Sequence, residues 1–536
     1  MKRLGMMLDC SRNAVKTVKE IKHIIDVLKK CNYNQILLYI EDTFELDGEP
    51  YFGYLRGRYT KEELKEIDRY AVSQGFEVVP CIQTLAHLNQ IFRWNAYTDI
   101  NDLSDVLLCG NEKTYNLINK MFDTVAECFS SNKVNIGMDE AYLVGYGKYR
   151  GDKTEIIQSD VFINHVNKVY ELAKKHGLEC LMWSDMFYRV CSNGKDYFEP
   201  KVEFKKELVE KLPKDITLIY WDYYHYKSSD YEKMYNCHKQ FSNKIAFAGG
   251  IWSWSGFVPQ NKYALSVITP AIKMIAENNI DEVFFTAWQD NGAECPFFAS
   301  LPSIFYAGMK TSNPNLTMSE IKELFYKTFN IKFDDFMKLD LPNQLTKDKG
   351  LFNPSKYLLF NDPFLGICDS TIMGNESELY KTRSRILRNL SNKMNEFSYI
   401  SMFYASLCKA LEYKADLGFK TRKLYKENDK EGLKQLLKQY DLSIKYIKIA
   451  LNDFRIVWFE QNKSFGFEVQ EIRFGGLIER LLSCKNRLIE FIEGKIEKIE
   501  ELEQVILNVE GEFKNAIKGK PTIINNYQFN ASTCII

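Results

Sequence analysis

Eight short apolar runs recur between Gly5 and Ala287, each ending in polar or aromatic residues. They are Gly5–Leu8, Gln35–Ile40, Glu77–Pro80, Val134–Gly137, Glu179–Trp183, Thr217–Trp221, Lys244–Ala248 and Glu282–Ala287. Helical patterns separate them. Ala14–Lys30 is one. Ser159–Gly177 is another, with Val161, Phe162, Val166, Val169, Tyr170 and Ala173 on one face and Gly177 as the stop signal. Continuous apolar strands alternating with helices imply a parallel sheet covered on both faces. Eight such units predict a (β/α)8 TIM barrel. A doubly wound open sheet is the competing fold, but no GxGxxG follows the first strand.

Past the eighth run the pattern changes. "ESELYKTRSRILRNLSNKM", "KEGLKQLLKQYDLSIKYIKIALNDFRIVWFEQ" and "RFGGLIERLLSCKNRLIEFIEGKIEKIEELEQVI" carry helical periodicity and alternating charge. We therefore divide the chain into a barrel over residues 1–315 and an all-α C-terminal domain over residues 316–536. The helical domain reads as a scaffold, or as an oligomerisation surface such as a homodimer contact. The aromatic, glycine-rich stretch 462–476 reads as a break between long helices.

Lys+Arg and Asp+Glu are equal at 71 each, which argues against a nucleic-acid partner. At the N-terminus Asp9 interrupts the apolar run, far short of the roughly 7–15 residues of a signal peptide core. No run of about 18 apolar residues predicts a membrane span. The 13 cysteines lack CxxC pairs, which fits reduced thiols and a cytoplasmic location. The six histidines are scattered, without the clusters of a metal-dependent barrel hydrolase, so neither metal nor cofactor is expected.

In such barrels the site lies where the strands end. The residues there are Asp9, Ser11 and Arg12; Glu41 and Asp42; Gln83 and His87; Asp139 and Glu140; Trp183 and Asp185; Trp221, Asp222, Tyr223, Tyr224 and His225; Trp252 and Trp254; and Trp288, Asp290 and Glu294. Five of the seven tryptophans follow strands five to eight. Aromatic faces stack on pyranose rings while carboxylates and Arg bind hydroxyls, so this rim predicts a sugar site.

The adjacent acids of "IGMDEA" pose a geometric problem. Neighbouring side chains on a strand point to opposite faces. Either one acid is functional and Asp139 caps a following segment, or the backbone turns and both reach the rim. Glycosidic cleavage needs a protonated acid beside the leaving oxygen and usually an opposed carboxylate. Two neighbours are too close for that, so the partner comes from another strand or the second acid works on the substrate itself.

"IGMDEA" resembles the hallmark Asp-Glu pair of glycoside hydrolase family 20, the β-N-acetylhexosaminidases. "LDCSRN", "PCIQTLAHL", "MWSDMF" and "TAWQDNGAE" are similar to the family's first, third, fifth and last strand segments, in order. A barrel-first chain with a helical C-terminal domain resembles the bacterial exo-acting subgroup called the C type. The resemblance implies removal of terminal β-linked GlcNAc or GalNAc from a small glycan or glycoconjugate by a retaining, substrate-assisted mechanism. It makes Glu140 the general acid/base, with a pKa raised by apolar surroundings and the neighbouring charge, and Asp139 the partner of the 2-acetamido group. It implies Arg12 and Asp290 at the outer hydroxyls, and Trp183, Trp221 and Trp288 around the N-acetyl pocket. Tyr223 or Tyr224 would meet the acetamido oxygen, with Trp252 and Trp254 on the rim. His87 reads equally as a structural histidine or as part of the catalytic shell. The competing functions are a catalytically inactive sugar-binding barrel and a retaining β-glycosidase with no acetamido requirement.

Overall fold

A computed structural model describes residues 3–192, 194–199, 201–242, 244–347, 350–511 and 519–534. Eight parallel strands close into a barrel: β1 (Arg3–Asp9), β2 (Gln35–Glu41), β3 (Glu77–Ile82), β4 (Lys133–Asn135), β5 (Glu179–Trp183), β6 (Thr217–Trp221), β7 (Ile245–Gly250) and β8 (Glu282–Ala287). Each strand pairs with its neighbours in sequence, and β8 closes onto β1 with Met6 opposite Phe285. Every residue of β2 is buried, as expected where helices cover one face and packed side chains fill the other.

Local signals set the helix ends. Thr17 caps Val18–Lys30 by accepting from the Glu20 N–H, and Thr60 with Glu63 forms a capping box on Lys61–Ser73. β4 is shorter than its apolar run. Its pairing with β3 is a single register pair, Cys81 with Asn135, and the chain leaves the ladder before Gly137.

Two compact units emerge. The barrel unit comprises Met1–Ile251, Ala264–Trp288 and Ser303–Thr317. The second comprises Trp252–Tyr263, Gln289–Pro302 and Met318–Ile536. The segments that start at Trp252 and Gln289, shortly after β7 and β8, thus belong to the second unit.

That second unit is built on helices Glu376–Ser391, Ser398–Lys414, Lys430–Gln461 and Phe467–Ile492. Its core is aromatic: the Phe454 ring stacks on Phe403 at 4.8 Å, and Phe257 meets both edge-on. A buried ion group also lies within this unit. Lys356 Nζ is 2.8 Å from Glu294, and Arg473 is 2.8 Å from the other oxygen of the same carboxylate. The expected break over 462–476 is shorter than its composition predicts. The last long helix starts at Phe467, directly after Gly466 with φ of 87°, because the aromatic residues there are buried on a helix face.

Among the described residues all cysteines are free, and only Cys534 is exposed. Among the described residues, no helix is long and apolar enough to cross a membrane.

Candidate active site

The acid pair stands on a left-handed turn. Gly137, Met138 and Glu140 all have positive φ, at 71°, 68° and 50°. Non-glycine residues enter this region at a cost of order 1 kcal/mol or more, so the surroundings must hold them there. Gln83, the residue after β3, is the main restraint. Its Oε1 accepts from the Met138 N–H at 3.0 Å, while its Nε2 donates to Asp139 at 2.7 Å and to the Tyr39 hydroxyl at 2.8 Å. A Cβ at position 137 would lie 2.1 Å from Gln83 Oε1, so glycine is required. The next helix begins only at Gln158, so Asp139 is not a helix cap.

The turn gives the two acids different environments. Asp139 is buried, with His87 Nε2 3.3 Å from its Oδ2. Burial pushes the Asp139 carboxyl up, but the His87 imidazolium and the Gln83 amide more than reverse this and leave it below the ordinary range. Burial likewise depresses the His87 imidazolium, yet Asp139 and then Glu41 lift it to about 10. The pair is therefore charged at neutral pH. Glu140 differs: its side chain keeps 47% exposure and lies 3.7 Å from His87. The expected enclosure of Glu140 by apolar groups is not what the structure shows, because the turn carries its carboxylate outward.

Behind the pair sits Asp185. One oxygen accepts from the Glu140 N–H at 2.8 Å, the other from the Trp221 indole at 3.3 Å. Burial, then the Asp139 charge, raises its carboxyl to about 7.

Across the barrel, Asp9 holds Arg12 through Nε at 3.2 Å, and Glu41 lies 3.4 Å from Arg12 Nη1. Burial raises Glu41 to about 7 against the opposing pull of Arg12 and His87. The Arg12 guanidinium lies over the Trp288 ring at 5.5 Å. Trp288 meets Tyr39 edge-on at 4.8 Å and Trp183 at 5.8 Å, and donates through Nε1 to the Tyr223 hydroxyl at 3.2 Å. Trp221 stacks on Tyr223 at 5.4 Å. A continuous circuit therefore joins the ends of seven strands, running from Arg12 through Trp288, Tyr223, Trp221 and Asp185 to the acid pair and back through Gln83 and Tyr39. Charge sits on one arc and aromatic surface on the other, an arrangement suited to a sugar ring with a polar substituent.

Two family descriptions match separate stretches of the sequence. "Glycosyl hydrolase family 20, catalytic domain" covers residues 3–240, and "Glycoside Hydrolase 20C C-terminal domain" covers residues 334–520.

The chain belongs to glycoside hydrolase family 20.

Similar relatives include Hexosaminidase D of Bos taurus, 24% identical over 40% of this chain and 60% of the relative. Hexosaminidase D of Homo sapiens is 22% identical over 40% of this chain and 43% of the relative. The chain thus spans about half the length of these relatives. Among solved structures, a β-N-acetylhexosaminidase from Bacteroides fragilis is 20% identical, covers 61% of this chain and 70% of its own, and has a TM-score of 0.47. A chitobiase from Flavobacterium johnsoniae is 16% identical over 98% of this chain and 77% of its own, with a TM-score of 0.47.

Against the expectations for this family, the barrel unit brings Arg12, His87, Asp139, Glu140, Trp183, Trp221, Tyr223 and Trp288 into one circuit. Tyr224 lies at the edge of the buried group, 43% exposed with its ring against Phe198 at 5.7 Å and Tyr223 at 5.9 Å. Trp252, Trp254 and Asp290 fall in the second unit. There the two indoles stack on each other at 4.3 Å, and Asp290 adds to the negative field on Lys356. Position at a strand end picks out Gln83, Glu41 and Asp185 without giving them a role; their part appears only once the strands are side by side.

Proposed function

We propose that this chain is an exo-acting β-N-acetylhexosaminidase, which removes terminal non-reducing β-linked GlcNAc or GalNAc with retention and with help from the substrate's own acetamido group. The observation that carries this reading is the division within the acid pair. Asp139 is buried and held as a carboxylate by His87 and Gln83, while its neighbour Glu140 is open to solvent.

In this mechanism Glu140 gives its proton to the bridging oxygen as the glycosidic bond breaks. The acetamido carbonyl oxygen forms the new bond to the anomeric carbon. Asp139 accepts the acetamido N–H and offsets the positive charge that develops on the ring so formed. Water then attacks the anomeric carbon, passes a proton to Glu140 and releases the sugar; two inversions give net retention. Asp139 never approaches the anomeric carbon, which is why it can neighbour Glu140. Arg12, braced by Asp9 and Glu41, holds the outer hydroxyls. Trp183, Trp221 and Trp288 wall the acetamido group, and Tyr223, beside Trp288, meets its oxygen. We place this chemistry in residues 1–315 and assign 316–536 a supporting role.

The test is hydrolysis of a nitrophenyl β-N-acetylglucosaminide, the matching galactosaminide and the corresponding β-glucoside. The two acetamido sugars, or one of them, are cleaved, the β-glucoside is not, and a thiazoline mimic of the cyclic intermediate inhibits tightly. Equal rates on the β-glucoside would remove the acetamido group from the mechanism.

A further inference from the structure

Asp185 joins two groups that the proposed chemistry uses for different tasks. It is buried, and it opens the short helix Asp185–Cys191 just past β5. Its Oδ2 accepts from the Glu140 backbone N–H at 2.8 Å, and its Oδ1 accepts from the Trp221 indole at 3.3 Å. The bond to Glu140 is the shorter and the stronger of the two. In the barrel β4 lies between β3 and β5, so the turn after β4 is reached from both neighbours. From β3, Gln83 holds Met138 and Asp139. From β5, Asp185 holds Glu140. With φ of 50°, Glu140 needs such a restraint. Its carbonyl accepts from the Tyr142 N–H at 2.7 Å, so both backbone polar groups of the residue are fixed. The half-exposed Glu140 side chain takes its direction from that backbone.

The acetamido side of the site has other supports. Trp221 stacks on Tyr197 at 4.7 Å and on Tyr223 at 5.4 Å, and its backbone N–H donates to the Tyr197 hydroxyl at 3.2 Å. Asp139 is held by His87 and Gln83. Loss of the Asp185 carboxylate therefore releases Glu140 first. We infer that Asp185 is a positioning residue for the general acid: by accepting the Glu140 N–H it aims the Glu140 carboxyl at the bridging oxygen, while other groups hold the acetamido side. This inference rests on the proposed function, since it takes Glu140 as the acid.

The experiment compares kcat/KM of the full chain on phenyl, nitrophenyl and dinitrophenyl β-N-acetylglucosaminides. They share the sugar and differ chiefly in how readily the phenol leaves without a proton. Asp185→Ala removes both acceptor atoms, whereas Asp185→Asn keeps the size of the side chain and offers one acceptor oxygen to two donors. Asp185→Ala lowers kcat/KM on the phenyl glycoside by about tenfold to a hundredfold, and on the dinitrophenyl glycoside by no more than about threefold. Asp185→Asn falls between wild type and Asp185→Ala, with the same dependence on the leaving group, and answers the question if Asp185→Ala does not fold. Both folded variants bind the thiazoline within about threefold of wild type, because that ligand reports on the acetamido side. Equal losses on all three glycosides, as a merely structural residue gives, overturn the inference, and so does an unchanged rate on the phenyl glycoside in both variants. A loss of thiazoline affinity as large as the loss of rate assigns Asp185 to the acetamido wall through Trp221 and overturns the aiming of Glu140. Wild-type protein that cleaves neither these glycosides nor the matching galactosaminides overturns the proposed function, and the role of Asp185 with it.

Discussion

His87 Nε2 lies 3.3 Å from Asp139 Oδ2, and each group holds the other in its charged form. The distance is long for a charge-assisted hydrogen bond, so the attraction is chiefly that of two charges in a dry site. Replacing His87 with Gln removes the positive partner, and the Asp139 carboxyl rises toward the ordinary range. Because the proposed chemistry needs Asp139 ionised, the acidic limb of kcat moves to higher pH. The pH–rate profile checks this; an unmoved acidic limb rules the pairing out of catalysis.

The same pair sets a stability window. His87 is raised above its unfolded value, so its contribution is whole below about pH 6.5 and is lost as pH climbs through about 10. Asp139 is depressed, so its contribution is present above about pH 3.9 and is lost as pH falls through its native value. Thermal unfolding across pH therefore shows a steeper alkaline decline for wild type than for His87→Gln.

Glu140 and Asp139 separate activity from stability. Glu140→Gln changes an exposed group, so unfolding free energy stays within about 0.5 kcal/mol. Its kcat/KM on a β-linked disaccharide with a terminal acetamido sugar falls by about 10²–10⁴-fold. Asp139→Asn leaves the buried His87 charge without its partner and costs about 3 kcal/mol of stability as well as activity. Denaturant unfolding run beside kinetics distinguishes the two.

Gly137→Ala places a methyl group 2.1 Å from Gln83 Oε1 and 2.8 Å from the Ile82 carbonyl, at φ of 71°. The variant loses about 1–3 kcal/mol of stability. It loses activity on every substrate, because the turn aims both acids. Unchanged kcat in a folded variant would show that the turn tolerates the extra carbon.

In the second unit, Lys356 and Glu294 have side chains with 0% and 1% exposure. Lys356→Met strands part of the Glu294 charge and costs about 3 kcal/mol. The Lys356→Met, Glu294→Leu double variant costs less than the single, because an apolar pair avoids the stranded charge. Denaturant midpoints of the two variants read this directly.

Sequence by itself determined the barrel. All eight strands lie where the apolar runs place them, with ends moved by about two residues, because a strand buried on both faces is written in its own consecutive side chains. The acid pair and the helical character of the later chain were legible for the same reason. Tertiary structure alone decided the environment of each acid. The turn at residues 137–140 depends on Gln83, which is 56 residues from Asp139 in sequence. The charge on Asp139 depends on His87, and the neutral tendency of Asp185 depends on burial and then on Asp139. The allotment of Trp252, Trp254 and Asp290 to the second unit likewise follows from packing that no local pattern records. Periodicity reports which face a residue presents, whereas charge state depends on distances between groups that only the closed barrel brings together.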